Sequence, residues 1–147
     1  HSLSRRQRQM CIRDRNILEN HGSIITTTSV TVELSAIGLS GYVGTKAATD
    51  KIVQVAAKEY QHKRLKINSL SPGLVDTPMT SALFDMEQPI KAMEKESPLG
   101  RLANSEDVAN TAVWMASDDC FTTGDFIRVG AGIHLNRLPT ADEMYGE

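Results

Sequence analysis

Cysteine is nearly absent from this chain of 147 residues. The two present, Cys11 and Cys120, stand far apart and lack metal-ligand spacing. That argues against a structural disulfide or a zinc site and makes a reducing cytoplasm the expected compartment. Long hydrophobic runs are missing too: no apolar stretch approaches the ~20 residues needed to span a bilayer. The charges nearly cancel, at a formal net of −2, so no global field draws the chain to nucleic acid or to a membrane surface. Internal repeats and low-complexity segments are absent as well. What remains is 40% hydrophobic and 23% charged, the balance of an ordinary soluble globular protein with the length of one domain.

The chain begins at His1 and carries Arg5, Arg6, Arg8, Arg13 and Arg15 in its first stretch. No apolar core follows these charges, as it would in a signal peptide. A basic arm for nucleic acid is one reading and a disordered tail another. The run Arg-Gln-Arg-Gln-Met-Cys-Ile-Arg-Asp-Arg looks like translated sequencing-adaptor sequence, so residues 1–15 are read as a non-family segment. The folding unit is read as 16–147.

From Asn16 the pattern is regular. Ile17 and Leu18, followed by Asn20-His21-Gly22, read as a helix tail with a glycine cap. The β-branched run Ser23 to Thr28 predicts a buried strand. After a loop containing Gly38 and Gly41, a helix is expected from about Tyr42 to His62. Its stripe of Ala48, Ile52, Val53, Ala56, Ala57 and Tyr60 suits a core or a subunit interface. Leu65 to Ser71 predicts a second strand, ended by Pro72-Gly73. A variable region bearing Met79, Phe84, Met86 and Met93 comes next. Asn104 or Ser105 is expected to cap another helix, with Glu106 and Asp107 at its positive dipole end. Val108, Ala112, Val113 and Ala116 would be its buried stripe. Asp125 to Val129 predicts a third strand, ended by Gly130-Ala131-Gly132. Strands alternating with helices imply an α/β fold with parallel strands and right-handed crossovers. The chemistry of such sheets gathers at the carboxyl ends of the strands.

Three residues fall at such ends. Tyr42 and Lys46 are four apart on one helix face, and Ser29 closes the strand upstream. An ammonium about 5 Å from a phenol oxygen favours the phenolate by on the order of 3 kcal/mol at an effective dielectric of about 20. A phenol so placed can exchange a proton with an alcohol or ketone near neutral pH. A serine hydroxyl aimed at the same oxygen would orient the substrate and stabilise its developing charge.

These residues carry a resemblance. Over about Asn16 to Leu138 the chain resembles the C-terminal half of the short-chain dehydrogenase/reductases. The Tyr-x-x-x-Lys element is Tyr42-Val43-Gly44-Thr45-Lys46, with Ser29 at the family's distance before it. Asn68-Ser69-Leu70-Ser71-Pro72-Gly73-Leu74-Val75-Asp76-Thr77 looks like the family's Asn-x-x-x-Pro-Gly-x-Val-x-Thr stretch. Pro98-Leu99-Gly100-Arg101 and Thr123-Gly124 follow in the family's order. The resemblance implies a partial Rossmann-like doubly wound parallel sheet, comprising its last three strands and their helices. It implies Ser29, Tyr42 and Lys46 as catalytic residues, with no metal, and NAD or NADP as cofactor. Tyr42 and Lys46, the backbone of Pro72, Gly73 and Val75, and the Thr77 hydroxyl would contact the nicotinamide end. Residues 79–96 would form a substrate lid whose methionines give an adaptable wall, core filling being the alternative. Thr28 is a less favoured donor than Ser29. His21, His62 and His134 read as surface or loop residues. A small-molecule alcohol or ketone is the implied substrate, and a homodimer or homotetramer the implied assembly, built on the Tyr42 and Glu106 helices.

Two departures stand out. Gly130-Ala131-Gly132 replaces an Asp-Gly-Gly-like turn. The glycine-rich turn that admits a cofactor pyrophosphate to a helix N-terminus, the residue that selects NAD or NADP, and the family's helix asparagine do not occur in the 147 residues. The sequence therefore predicts an NAD(P)-dependent oxidoreductase whose present stretch is inactive alone. A non-catalytic interaction fragment is the alternative. The first strand is also expected to show a bare edge.

Overall fold

The computed structural model describes residues 22–146. The helix tail expected at Ile17 and Leu18 lies outside them. Three strands, β1 (Ser23–Thr27), β2 (Lys66–Pro72) and β3 (Phe126–Val129), form a parallel sheet in the order β1-β2-β3. Ser23 pairs with Lys66 and Thr27 with Leu70, while Ser69 pairs with Phe126 and Pro72 with Val129. Among the described residues β1 has no second strand neighbour, which leaves the expected open edge. The third strand starts at Phe126 rather than Asp125. There the Asp125 N–H bonds to the buried Asn68 Oδ1 at 3.0 Å instead of to the ladder.

Helix α1 (Ser40–Glu59) links β1 to β2. After β2 come α2 (Ser81–Phe84), α3 (Glu87–Lys95) and α4 (Ser105–Ala116), and α5 (Ala141–Tyr145) follows β3. Val53 and Ala57 of α1 pack with Leu65 and Ile67, joined by Ile24, Ala56 and Tyr60. The stripe expected on α1 therefore divides. Ile52 is 62% exposed and Ala48 is also exposed, because one step along a helix turns a side chain by about 100°. The stripe expected on α4 is corrected as well. Val113 is 70% exposed and Ala116 is exposed, whereas Met115 is fully buried and Val108 and Ala112 are half-buried.

Ile67 points to the α1 face of the sheet, so neighbouring Lys66 points to the other face. Its ammonium donates to the Ser117 carbonyl that ends α4. Helix α4 touches all three strands but shares no broad contact with α1. The two helices thus cover opposite faces. Both crossovers advance the sheet in the same direction over opposite faces, so they cannot share one hand. The general right-handed preference holds for at most one of them.

A second core lies beyond the carboxyl ends of the strands. Val30, Met93 and Ile133 are buried there, with Leu34, Leu74, Leu102 and Leu138 packed around them. It joins the segments that follow all three strands and so forms the floor of the region expected to carry chemistry.

Helix α4 begins with a capping box: Asn104 Oδ1 accepts from the Asp107 N–H, and Asp107 Oδ2 accepts from the Asn104 N–H, each at 2.9 Å. The Arg101 fork closes on the same carboxylate at 2.6 and 2.9 Å. The Arg101 guanidinium, then the Asn104 N–H, hold the Asp107 carboxyl at about 2. A depressed carboxyl stabilises the fold above its unfolded value of about 4 and loses that contribution as pH falls. Glu143, held at about 2 by Arg137 and the Thr140 N–H, titrates in the same window. Asp107→Asn should therefore shallow, without abolishing, the loss of thermal midpoint between about pH 4 and pH 2, as followed by circular dichroism.

The turn after β3 places Ala131 at φ 53 and Gly132 at φ 84. Ala131 sits in the left-handed region, which disfavours an L side chain by roughly 1–2 kcal/mol. Ala131→Gly should raise stability by about 1 kcal/mol, read as a higher thermal midpoint.

Candidate active site

Ser29 lies two residues beyond β1, at φ −163 and ψ 145, and caps a 3-10 turn over Val30–Val32. It is 8% exposed. Its Oγ accepts from the Thr31 N–H at 3.2 Å and from the Thr31 hydroxyl at 2.9 Å. Neither bond uses the serine's own proton, which stays able to donate to a substrate oxygen. The neighbouring Thr28 hydroxyl is committed elsewhere: it lies 2.7 Å from Ser71 Oγ, and both residues are buried. Thr28 is thus turned to a buried Ser71 pair, whereas the Ser29 Oγ contacts use only its acceptor sites.

Tyr42 is in the first turn of α1 and is 41% exposed. Lys46 follows one turn later. Its ammonium donates to the Thr27 carbonyl at 3.0 Å and sits 5.6 Å from the Tyr42 ring centroid. The sequence pattern placed this ammonium beside the phenol oxygen. The contact found is with the ring, a cation–π geometry. The reason lies in β1. Alternate residues of a strand turn their backbone polar groups to opposite sides, and the Thr28 N–H bonds to β2. The Thr27 carbonyl therefore points away from β2, where Lys46 supplies its donor. Helix α1 also packs on the turn that Ser29 caps, so the three residues converge at the end of β1.

The segment after β2 is shaped by glycine. The Gly73 N–H donates to the Val129 carbonyl at 3.0 Å. A Cβ on Gly73 would lie 2.9 Å from Gly130 Cα, and one on Gly130 would lie 3.1 Å from Val30 Cγ1. The two backbones cross in contact, against the residue that follows Ser29. This explains why a glycine suits position 130, where the resembling family carries an aspartate.

Beyond Gly73, Thr80 staples the chain. Its hydroxyl donates to the Val75 carbonyl at 2.6 Å, accepts from the Thr77 N–H at 3.0 Å and lies 2.9 Å from the Thr77 hydroxyl. Sequence reasoning did not single out Thr80. The signal was its position three residues after Thr77, a common spacing for hydroxyl-capped turns.

The lid region splits between its two readings. Met93 belongs to the second core, whereas Met79 is 84% exposed and Met86 is exposed. His62 is exposed as expected, but His134 is half-buried in the 3-10 turn Ile133–Leu135. A groove lined by Glu87, Gln88, Lys91, Lys95 and Glu143 contains none of Ser29, Tyr42, Lys46 and Thr77. Among the described residues, no group of His, Cys, Asp or Glu could hold a metal ion, and no helix is long and apolar enough to cross a membrane.

The geometry has counterparts. A family model described as enoyl-(acyl carrier protein) reductase matches residues 8–134. The 3-oxoacyl-(acyl-carrier-protein) reductase of Staphylococcus epidermidis is 32% identical over 118 residues, covering 80% of this chain and 48% of the relative. A short-chain type dehydrogenase/reductase from Mycobacterium ulcerans superposes with a TM-score of 0.81 at 31% identity, over 89% of this chain and 48% of that one. A gluconate 5-dehydrogenase from Burkholderia cenocepacia, solved with NADP and tartrate, shares the fold with a TM-score of 0.81 at 24% identity, over 88% of this chain and 51% of that one. The chain spans about half the length of the curated relatives it matches.

The glycine crossing yields a direct test. Gly73→Ala should lower stability by about 1–3 kcal/mol, because the obstructing atom is backbone. Gly44→Ala, with nothing within 4 Å of the added carbon, should be neutral or slightly stabilising in the same denaturation series.

Proposed function

The chain belongs to the short-chain dehydrogenase/reductase family, and from that premise we propose that the whole protein is an NAD(P)-dependent oxidoreductase interconverting a secondary alcohol and a ketone. The observation that carries this reading is the convergence of Ser29, Tyr42 and Lys46 at one strand end, through the Lys46 bond to the Thr27 carbonyl and its seat on the Tyr42 ring. The ketone-reducing relative supports the reaction type.

In the reductive direction the substrate carbonyl oxygen accepts hydrogen bonds from the Ser29 and Tyr42 hydroxyls. Tyr42 then passes its proton to that oxygen as the carbon becomes an alcohol carbon. The Lys46 charge stabilises the phenolate left behind, and the Ser29 hydroxyl stabilises charge developing on the substrate. In the oxidative direction the same groups work in reverse. A nicotinamide cofactor, when bound, supplies or accepts the hydride. The donor set fits its nicotinamide and ribose end. Lys46 and Tyr42 suit ribose hydroxyls, while Thr77 and the backbone of Pro72, Gly73 and Val75 suit the carboxamide. The family's glycine-rich pyrophosphate turn does not occur in the 147 residues, so the chain by itself is expected to be inactive. NAD and NADP both remain compatible with these residues.

Ile52 and Val55 on α1, and Val113 and Trp114 on α4, present apolar surface outward. They support a homodimer or homotetramer. Because α1 and α4 cover opposite faces of the sheet, one two-fold contact cannot cover both, which favours the tetramer.

The test is Tyr42→Phe in the whole enzyme, assayed with NADPH or NADH and a panel of cyclic and 3-oxoacyl ketones. Activity should fall by about 10²–10⁴-fold while cofactor binding, followed by nicotinamide fluorescence, is retained. Undiminished turnover would overturn the proposal. The 147-residue chain alone should consume no NADPH with any of these ketones.

A further inference from the structure

We infer that Arg128 is a positioning residue for Ser29, acting through Glu33 to fix the turn that Ser29 caps against the last strand. This rests on the reading of Ser29 as the hydroxyl that orients the substrate.

Glu33 closes the 3-10 turn at the end opposite Ser29, and its N–H donates to the Val30 carbonyl at 3.1 Å. Its side chain meets Arg128 of β3. The arginine Nε lies 2.8 Å from both Glu33 oxygens, and Nη2 also donates to Oε1. The planar fork and the planar carboxylate therefore fix each other's orientation, which a point charge could not do.

Arg128 stands in register with Ser71, whose hydroxyl meets Thr28. These groups lie on the sheet face that α1 covers. From α1, the buried carboxylate of Asp50 adds its field to that of Glu33 in favouring the Arg128 charge. The Ser29 turn and the last strand meet at this arginine, within the field of Asp50 on the helix that carries Tyr42 and Lys46.

Stability alone gives little reason for such an arrangement. The two side chains are 38% and 37% exposed, and an exposed pair contributes only about 0–1 kcal/mol. The Ser29 end of the turn is anchored by Val30 in the second core and by the Ser29 cap, whereas its Glu33 end is exposed and held in the backbone by the Glu33 and Leu34 N–H bonds to Val30, each at 3.1 Å. A hydroxyl that must meet a reacting oxygen needs tighter placement, since a misplacement of about 1 Å can lower a rate about 10²-fold. The fork supplies a constraint at the exposed Glu33 end, where the turn has no buried anchor of its own.

A double-mutant cycle with amide hydrogen exchange on the 147-residue chain tests the inference. Arg128→Met and Glu33→Gln should each accelerate exchange at Val32, Glu33 and Leu34 by about tenfold. Ser69 and Gly73, whose N–H groups bond to the Asp125 and Val129 carbonyls, should keep their rates. The double variant should be no faster than either single one. Unchanged turn amides, equal acceleration at Ser69 and Gly73, or additive single effects would each overturn the inference. In the whole enzyme, Arg128→Met should lower kcat for ketone reduction about tenfold with the KM for NADPH or NADH unchanged; an unchanged kcat would also overturn it. The exchange measurement uses neither cofactor nor ketone, so it succeeds or fails independently of the oxidoreductase reading, which stands or falls on the Tyr42→Phe assay.

Discussion

One hydrogen bond, from the Lys46 ammonium to the Thr27 carbonyl, ties the long helix to the end of the first strand. The acceptor is available because it points away from β2, to which the Thr28 N–H of the same peptide is bonded, and the donor is in reach because α1 carries Lys46 in its second turn. With the ammonium held there, its position over the Tyr42 ring follows from helix geometry, since residues four apart share a face. Ser29 is only two residues further along the strand that supplies the carbonyl. The relative placement of a hydroxyl, a phenol and a cation thus reduces to one backbone oxygen and one turn of helix.

That oxygen has to stay where it is, and the second core provides the footing. Val30 is buried in it immediately after Ser29, while Met93 and Ile133 approach from α3 and from the turn after β3. The Gly73–Gly130 crossing draws the ends of β2 and β3 together beneath Val30. Side chains would hold these strand ends apart; their absence lets backbone pack on backbone. The strained Ala131 next to this crossing suggests that the path of the turn is set by packing, with Gly132 against Pro98 and Gly130 against Val30, more than by its own residue preferences.

Much of this was legible in the sequence. β-branched runs and Pro-Gly punctuation located all three strands to within a residue or so, and Asn104 with Asp107 announced the helix start. The Tyr42–Lys46 spacing indicated a shared face because helical periodicity is local. What the pattern could not carry was anything set by a distant partner. Which of Ile52 and Val53 is buried depends on where β2 lies, and which of Val113 and Met115 is buried depends on the angle at which α4 meets the sheet. The ammonium's seat on the ring depends on a carbonyl nineteen residues away. The hand of the crossovers depends on which sheet face each helix takes, and periodicity does not encode that. Thr80 escaped notice because a threonine in a loop is common, and only the conformation of Val75 to Thr77 makes it a staple.

Among the described residues, three arginine forks grip carboxylates near the ends of elements, and their differences separate local order from long-range order. Arg101 closes the capping box of α4 through Asp107, and Arg137 closes that of α5 through Glu143; in each the partners are six residues apart. Both forks tidy an element that its own sequence already specifies. The Arg128–Glu33 fork joins residues 95 apart. It cannot help either residue's own segment to form early, because closing so long a loop is entropically unfavourable until the sheet exists. Its effect must come late, once β3 has docked, as a constraint on an already folded turn. A fork that acts only after folding, on the exposed end of a turn that Ser29 caps, is better understood as setting geometry than as supplying stability.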